Sequence, residues 1–322
     1  MVIVTGGNGF IGSAMVWELN EAGIHDIIVC DAVDLSERKE TLKKRQFHSF
    51  LHRDELFNYL KNTHDSIDCI FHMGASSSTT VTDEEFLRVN NTEYTRHLFD
   101  WCLNKNVTYI YASSASVYGD GNQGFDDKVP TSTYTPLHAY GRSKANFDMW
   151  VEKQPPTPNK WYGLRFFNVY GPNEYHKGSM LSVPYKAQKQ IEETGKVKLF
   201  KSYHPDYKDG EQMRDFIYVK DITRWMLELY QLKSAPSGVY NMGFGKARTW
   251  KDLTRAAFTA NNKELNIEWI EMPDNLKNQY QYITEADMSQ WLTAHLSQPQ
   301  WPLEKGIEDY LKNYLIAGDT YL

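Results

Sequence analysis

The chain has 322 residues, 41% of them hydrophobic, which is enough to fill the core of one large or two moderate domains. A formal net charge of -6 argues against a nucleic-acid binder with its basic stripe, yet leaves room for a small anion held by a local Arg/Lys cluster. The three cysteines, Cys30, Cys69 and Cys102, form no Cys-x-x-Cys pair, so neither a metal site nor a disulfide framework is expected.

In chain order, "MVIVT" (1–5) reads as a buried strand, and "SAMVWELNEAG" (13–23) as a helix stopped by Gly23. "DIIVCD" (26–31) is a second strand and "SIDCIFHMGA" (66–75) holds another. "EEFLRVNNTEYTRHLFDWCLNK" (84–105) reads as helix, "VTYIYASS" (107–114) as strand, "YGRSKANFDMWVEK" (140–153) as helix and "WYGLRFFNVYG" (161–171) as strand. Strands this apolar, alternating with helices, imply a parallel sheet covered on both faces. From about residue 170 polar stretches such as "KSYHPDYKDGEQ" (201–212) interrupt the pattern. "RDFIYV" (214–219) then reads as a strand leading into a helix capped by Asp221. "GVYNMGFG" (238–245) follows as strand and loop, and "TWKD" (249–252) as a capping box. The expected fold class is α/β: a Rossmann-type doubly wound parallel sheet with a smaller C-terminal α/β substrate domain. Residues 1–169 with 214–247 would form the first unit, and 170–213 with 248–322 the second. The N-terminus lacks a signal-peptide layout and no apolar run reaches transmembrane length, so a cytoplasmic protein with no membrane partner is expected.

"TGGNGFIG" (5–12) sets Gly6, Gly9 and Gly12 between the first strand and the first helix. That spacing lets the backbone turn tightly and approach a pyrophosphate, with the helix N-terminus favouring the anion. Without the strand–turn–helix context the glycines would be a structural turn only. Asp31, ending the second strand, suits a ribose 2′-hydroxyl and so NAD. Arg38 and Arg53 suit a 2′-phosphate and so NADP, although solvated loop arginines are their plain alternative.

Tyr140 and Lys144 stand four apart on one helix face. A lysine cation and a positively charged nicotinamide would draw down the phenol, whose ordinary pKa is about 10, and make it a base for a departing hydroxyl proton. With 21 tyrosines, roughly one chance Tyr-x-x-x-Lys match is expected, and Tyr185/Lys189 is another. Position favours Tyr140, because it follows a strand whose end offers Ser114 as a hydrogen-bonding partner.

The glycine loop, Ser114 and the Tyr140/Lys144 pair together resemble the extended short-chain dehydrogenase/reductase superfamily. A narrower match lies in "IFHMGASSSTT" (70–80), "RFFNVYGPNEYHKGSM" (165–180), "KLF" (198–200), "RDFIYVKD" (214–221) and "YQYITEAD" (280–287). These segments resemble the ADP-L-glycero-D-manno-heptose 6-epimerases over essentially the whole chain, with "HKGSM" the most specific part. The resemblance implies an isomerase that inverts C6 of ADP-D-glycero-β-D-manno-heptose to supply lipopolysaccharide core. It would do so by transient oxidation with bound NADP, NAD remaining an alternative.

It also implies cofactor contacts from Phe10, Ile11, Asp31, Ala32, Arg38, Arg53, Met73, Gly74, Ala75, Ser76, Ser77 and Asn90, with Lys144 on the nicotinamide ribose. Val169 and His176 would face the cofactor, Tyr140 would be one proton acceptor and Lys177 the second. Asn168, Ser179, Lys186, Phe200, Lys201, Ser202, Tyr203, Arg214 and Tyr280 would hold the nucleotide sugar, making the second unit a nucleotide-sugar-binding domain. The assembly implied is a homo-oligomer, a pentamer being one form. The chain departs from the family in carrying arginine rather than lysine at 38 and 53, and a longer 203–213 loop.

Rival readings attach to several of these residues. Lys177 would otherwise be a phosphate-binding or surface lysine, and His176 a hydrogen-bonded loop residue. Arg214 would pair a carboxylate, and Tyr280 would be a packed aromatic. Two other readings compete: another nucleotide-sugar epimerase or 4,6-dehydratase of the same superfamily, and a non-catalytic dinucleotide-sensing protein. A sugar-nucleotide 4,6-dehydratase would carry an Asp-Glu pair after Ser114, where this chain has Ala115 and Ser116. A dinucleotide-sensing regulator would have lost the Tyr/Lys pair, which this chain keeps.

Overall fold

The computed structural model describes residues 1–157, 159–232, 235–277 and 280–322. In chain order the first half runs β1 (Val2–Thr5), α1 (Phe10–Glu21), β2 (Ile27–Asp31), β3 (Ser49–His52), α2 (Leu56–Asn62), β4 (Cys69–His72), α3 (Glu84–Leu87), α4 (Tyr94–Lys105), β5 (Thr108–Ser114), α5 (Ala139–Val151) and β6 (Trp161–Phe166). The second half runs β7 (Asn168–Tyr170), α6 (Val183–Thr194), β8 (Val197–Phe200), β9 (Met213–Arg214), β10 (Phe216–Tyr218), α7 (Val219–Gln231), β11 (Gly238–Met242), β12 (Arg248–Thr249), α8 (Trp250–Ala260) and β13 (Ile267–Ile270), with a late helix at Leu303–Tyr310.

β1, β2 and β4 are buried at every position, as their unbroken apolar runs require of central parallel strands. Seven strands form one sheet in the order β11-β6-β5-β4-β1-β2-β3, every neighbouring pair parallel. The order reverses between β1 and β4, so a crevice opens at their C-terminal ends, where doubly wound sheets bind ligands. Met15, Val16 and Leu19 of α1 and Trp225, Met226 and Leu229 of α7 cover one face. Leu56 and Leu60 of α2, Leu98, Phe99 and Cys102 of α4 and Phe147 of α5 cover the other. The cysteines are free and buried. No helix among the described residues is long and apolar enough to cross a membrane.

A separate apolar core joins Ile191 of α6, Val197 and Leu199 of β8, Leu253 and Ala257 of α8, and Leu303 and Ile307 of the late helix. Trp291 and Leu296, assigned by sequence to this second unit, instead pack under the main sheet. The Trp291 ring lies 4.8 Å from that of Trp225. Their apolar surface found its cover there, on a face that residue order does not reveal.

The expected helix at 84–105 contains a π-helical segment, Arg88–Glu93, between α3 and α4. The expected strand at 161–171 breaks after Phe166, and β7 leaves the main sheet to pair with β10. The Asp221 cap needs correction. α7 starts at Val219 with Tyr218 at its N-cap, and Asp221 sits inside the first turn, fully buried. Its carboxylate accepts from the amides of Gln300 (2.8 Å) and Trp301 (2.9 Å), and from Arg224. A carboxylate that suits a cap suits other backbone amides equally well, and tertiary contact claimed this one. The capping box at Thr249/Asp252 is present in both directions.

Candidate active site

The crevice begins at the loop between β1 and α1. Gly6 has φ +62, and a Cβ there would lie 2.5 Å from the Gly74 amide nitrogen. A Cβ at Gly12 would overlap the Gly6 carbonyl. The two glycines therefore let the loops after β1 and β4 touch and let α1 start against its own turn. Gly7, which sequence reasoning passed over, is equally confined: a Cβ would come within 2.7 Å of Val29. Gly9 caps α1 with no side-chain bond, so no side chain caps the amides of its first turn, where they can receive an anion.

A cavity of about 900 Å³ extends from this loop. Its walls include Gly6, Gly9, Phe10, Ile11, Gly12, Asp31, Ala32, Arg38, Arg53, Met73, Gly74, Ala75, Ser76, Ser77, Asn90, Lys144, Val169 and His176, and also Ser114, Tyr140 and Lys177. Side chains some 170 residues apart in sequence thus share one space. Asn91, absent from the sequence reading, organises one wall. It is buried; its Oδ1 accepts from the Ser76 amide at 2.9 Å, and its Nδ2 donates to the Ser76 carbonyl and the Ser143 hydroxyl, each at 3.0 Å. The π-helical segment holds Asn91 inside, with Asn90 on the cavity wall. The neighbouring asparagines in "RVNNTE" were the available signal.

At the β2 end, Asp31 is committed to the backbone. Its oxygens accept from the amides of Asn8 and Val33, each at 2.9 Å. Arg38 donates to the Asn8 carbonyl at 2.8 Å, and the Arg53 guanidinium lies 4.6 Å from the Tyr94 ring centre. Both arginines border the cavity beside Ala32.

At the other end, α5 is capped by His138, whose ring accepts from the Gly141 amide at 3.1 Å. This places Tyr140 in the first turn and Lys144 one turn further on. Lys144 is buried and donates to the Ala112 carbonyl at 2.7 Å. Burial pulls its ammonium down to about 8, against an opposing pull from Asp148. Burial raises the Tyr140 phenol, and the neighbouring Ser114 hydroxyl draws it back. Asp148 accepts from Tyr111 (2.9 Å), Ser113 (2.7 Å) and Arg165 (3.2 Å), so α5 is tied to β5 and β6 by a buried, satisfied network. The rival pair does not compete: Tyr185 and Lys189 stand on α6 away from the cavity, and Lys189 pairs with Glu192 at 2.9 Å.

Lys177 borders the same cavity from the loop after β7. Its Nζ lies 5.0 Å from the Phe10 ring centre and 3.9 Å from the fully buried Glu174 carboxylate. Burial lowers its ammonium and Lys186 lowers it further, while Glu174 opposes. His176 is pushed down to about 4 by burial, with Arg38 and Lys177 adding to the effect, so its imidazole is neutral across the physiological range.

A second cavity, about 330 Å³, adjoins the first and shares Ser114, Ser116, Phe166, Phe167 and Asn168 with it. Arg214 and Tyr280 border it, with the guanidinium 5.3 Å from the Tyr280 ring centre. Gln281 and Thr284 also line it and were not anticipated. The remaining expected substrate residues stand outside both walls. Lys186 donates to the Ser179 carbonyl at 2.7 Å, Lys201 pairs with Glu271 at 2.6 Å, and the amide of Ser202 bonds Asp209 at 2.7 Å. Tyr203 is exposed and bonds Glu271, while Phe200 ends β8 beside Ile270.

Sequence comparison places these features in a family. Residues 2–243 match the model of the NAD dependent epimerase/dehydratase family. The ADP-L-glycero-D-manno-heptose-6-epimerase of Nitratidesulfovibrio vulgaris (strain DP4) is 47% identical, with all of both chains covered. That of Fusobacterium nucleatum is 45% identical, again over all of both chains. The chain belongs to the NAD dependent epimerase/dehydratase family, in the branch of these 6-epimerases. The Helicobacter pylori ADP-L-glycero-D-manno-heptose-6-epimerase structure superposes with a TM-score of 0.81 at 28% identity, covering 97% of this chain and 95% of that one. A family member of this kind works with a nicotinamide dinucleotide, and the glycine cradle, the uncapped helix N-terminus and the long cavity fit one.

Proposed function

We propose that this epimerase inverts C6 of ADP-D-glycero-β-D-manno-heptose, giving the L-glycero epimer for lipopolysaccharide core, with NADP retained through the cycle. The observation that carries the reading is one cavity bordered by two separate candidate bases, Tyr140 with Lys144 from α5 and Lys177 from the loop after β7. A bound nicotinamide supplies the acceptor and donor of hydride at C6. Tyr140 takes the C6 hydroxyl proton, with Ser114 and Lys144 bordering the same cavity to support it. Inversion needs hydride to return to the opposite face, so the sugar end must turn, and the C6 oxygen then points away from Tyr140. Lys177 serves that second orientation, and its lowered ammonium increases the neutral fraction available as base. Arg214, Tyr280 and Asn168 hold the nucleotide sugar, with Arg214 on the diphosphate. In this reading 1–169 with 214–247 carries the cofactor and 170–213 with 248–322 most of the substrate contacts. The protein acts as a cytoplasmic homo-oligomer.

The deciding experiment is proton NMR of ADP-D-glycero-β-D-manno-heptose incubated with purified protein and no added cofactor. Appearance of the L-glycero epimer supports substrate, C6 chemistry and a retained cofactor together. No change, even with NADP and NAD supplied, removes the heptose assignment. For the cofactor, two guanidinium groups at the Ala32 end favour a 2′-phosphate over a bare hydroxyl. Arg38→Ala combined with Arg53→Ala should weaken NADP binding by roughly tenfold or more and NAD binding far less, because each charged hydrogen bond contributes about 1.5–3 kcal/mol. Equal losses for both nucleotides in a calorimetric titration would remove the NADP preference.

A further inference from the structure

We propose that residues 319–322 act as a strap that fixes Phe10 and the loop carrying Lys177, so that cofactor retention and the second base depend on one fastening. The release half of this rests on the NADP of the proposed function and the second-base half on its Lys177 role. The last segment of the chain crosses back to the cofactor side of the molecule and is fastened at both ends. At one end Lys44 of the β2–β3 connection pairs with Asp319 and donates to the Tyr321 carbonyl at 2.8 Å. At the other, Leu322 is buried in a cluster with Phe10, Ala14 and Val219. Between them the Tyr321 ring lies 5.1 Å from that of Tyr175.

Asn173 joins the strap to the site. It is fully buried and holds φ +77, left-handed backbone that asparagine adopts more readily than other residues with a side chain. Its Oδ1 accepts from the Leu322 amide and its Nδ2 donates to the Ser13 hydroxyl of α1, each at 3.0 Å. One side chain therefore ties the strap, the first turns of α1 and the start of the 173–177 loop. Phe10 is the second junction. It borders the cavity, packs with Leu322 and lies beneath Lys177. Phe10 opens α1, so a shift there moves the helix-start amides that would receive a pyrophosphate. If Leu322 leaves its seat, Asn173 loses a buried acceptor bond, and the loop and the helix start both lose a support.

The test loads wild-type protein and variants with NADPH, chases with excess NADP and follows nicotinamide fluorescence. Leu322→Asp, which places a charge in an apolar seat, should release NADPH roughly tenfold faster. It should lower kcat for epimerisation about fivefold or more, with KM for the nucleotide sugar little changed. Leu322→Met should behave as wild type. Lys44→Ala, a surface change that leaves the core intact, unfastens the other end and should speed release about threefold. Wild-type release rates in both Leu322→Asp and Lys44→Ala overturn the strap. If wild-type protein retains NADPH but leaves the heptose unchanged, the substrate reading fails while the release rates still judge the strap.

Discussion

Replacing Lys177 by Met should lower epimerisation kcat by about 10²–10⁴ while nucleotide-sugar affinity stays nearly constant. Methionine keeps an unbranched apolar chain over Phe10 and removes only the ammonium. Glu174, which loses its cation, still accepts from the Ser182 amide at 2.7 Å and from Tyr310 at 3.0 Å, so its buried carboxylate is not left bare and the loop should keep its shape. A kcat loss without a binding loss is the mark of a group used in the transition state. Calorimetric titration with the ADP-heptose, beside an NMR rate, gives both numbers. Unchanged turnover would return Lys177 to the role of a loop cation.

Tyr140→Phe is expected to cost a similar factor, about 10²–10⁴ in overall epimerisation, but to leave a different residue of activity. With separate bases for the two orientations, each variant retains one half-reaction. Tyr140→Phe should still reduce bound cofactor with the epimer served by Lys177, and Lys177→Met with the epimer served by Tyr140. Mixing each variant with each pure epimer and recording reduced-nicotinamide absorbance resolves the pattern. If Tyr140→Phe is silent with both epimers, one base serves both faces and the two-base scheme falls. The wild-type pH profile carries the same information. Burial raises the Tyr140 phenol, so the half-reaction that needs the phenolate should quicken as pH rises, and that limb should vanish in Tyr140→Phe.

Much of the lining of the large cavity was legible in the sequence because its parts are local. A glycine loop between a strand and a helix, an acid closing the next strand, and a Tyr-x-x-x-Lys on one helix face are patterns whose geometry follows from the residues themselves. The substrate side was less legible. Phe200 ends β8, and Lys201, Ser202 and Tyr203 open a loop whose contacts run to distant segments: the Tyr203 amide meets the Tyr282 hydroxyl at 3.2 Å, and Lys201 meets Glu271. Gln281 and Thr284 line the second cavity although nothing in their spacing marks them.

What the sequence determined by itself is the doubly wound sheet, the glycine loop at its crevice and the placing of Tyr140 and Lys144 one turn apart on α5, because backbone sterics and short-range periodicity settle them. Only the tertiary structure decided which distant groups meet. It brought Lys177 to Phe10, turned Asp221 from a cap into a clamp on residues 300–301, and sent Trp291 under the main sheet. A buried carboxylate, ammonium or indole accepts any partner that satisfies its charge, hydrogen bonds or apolar surface. Which partner arrives depends on how the whole chain packs.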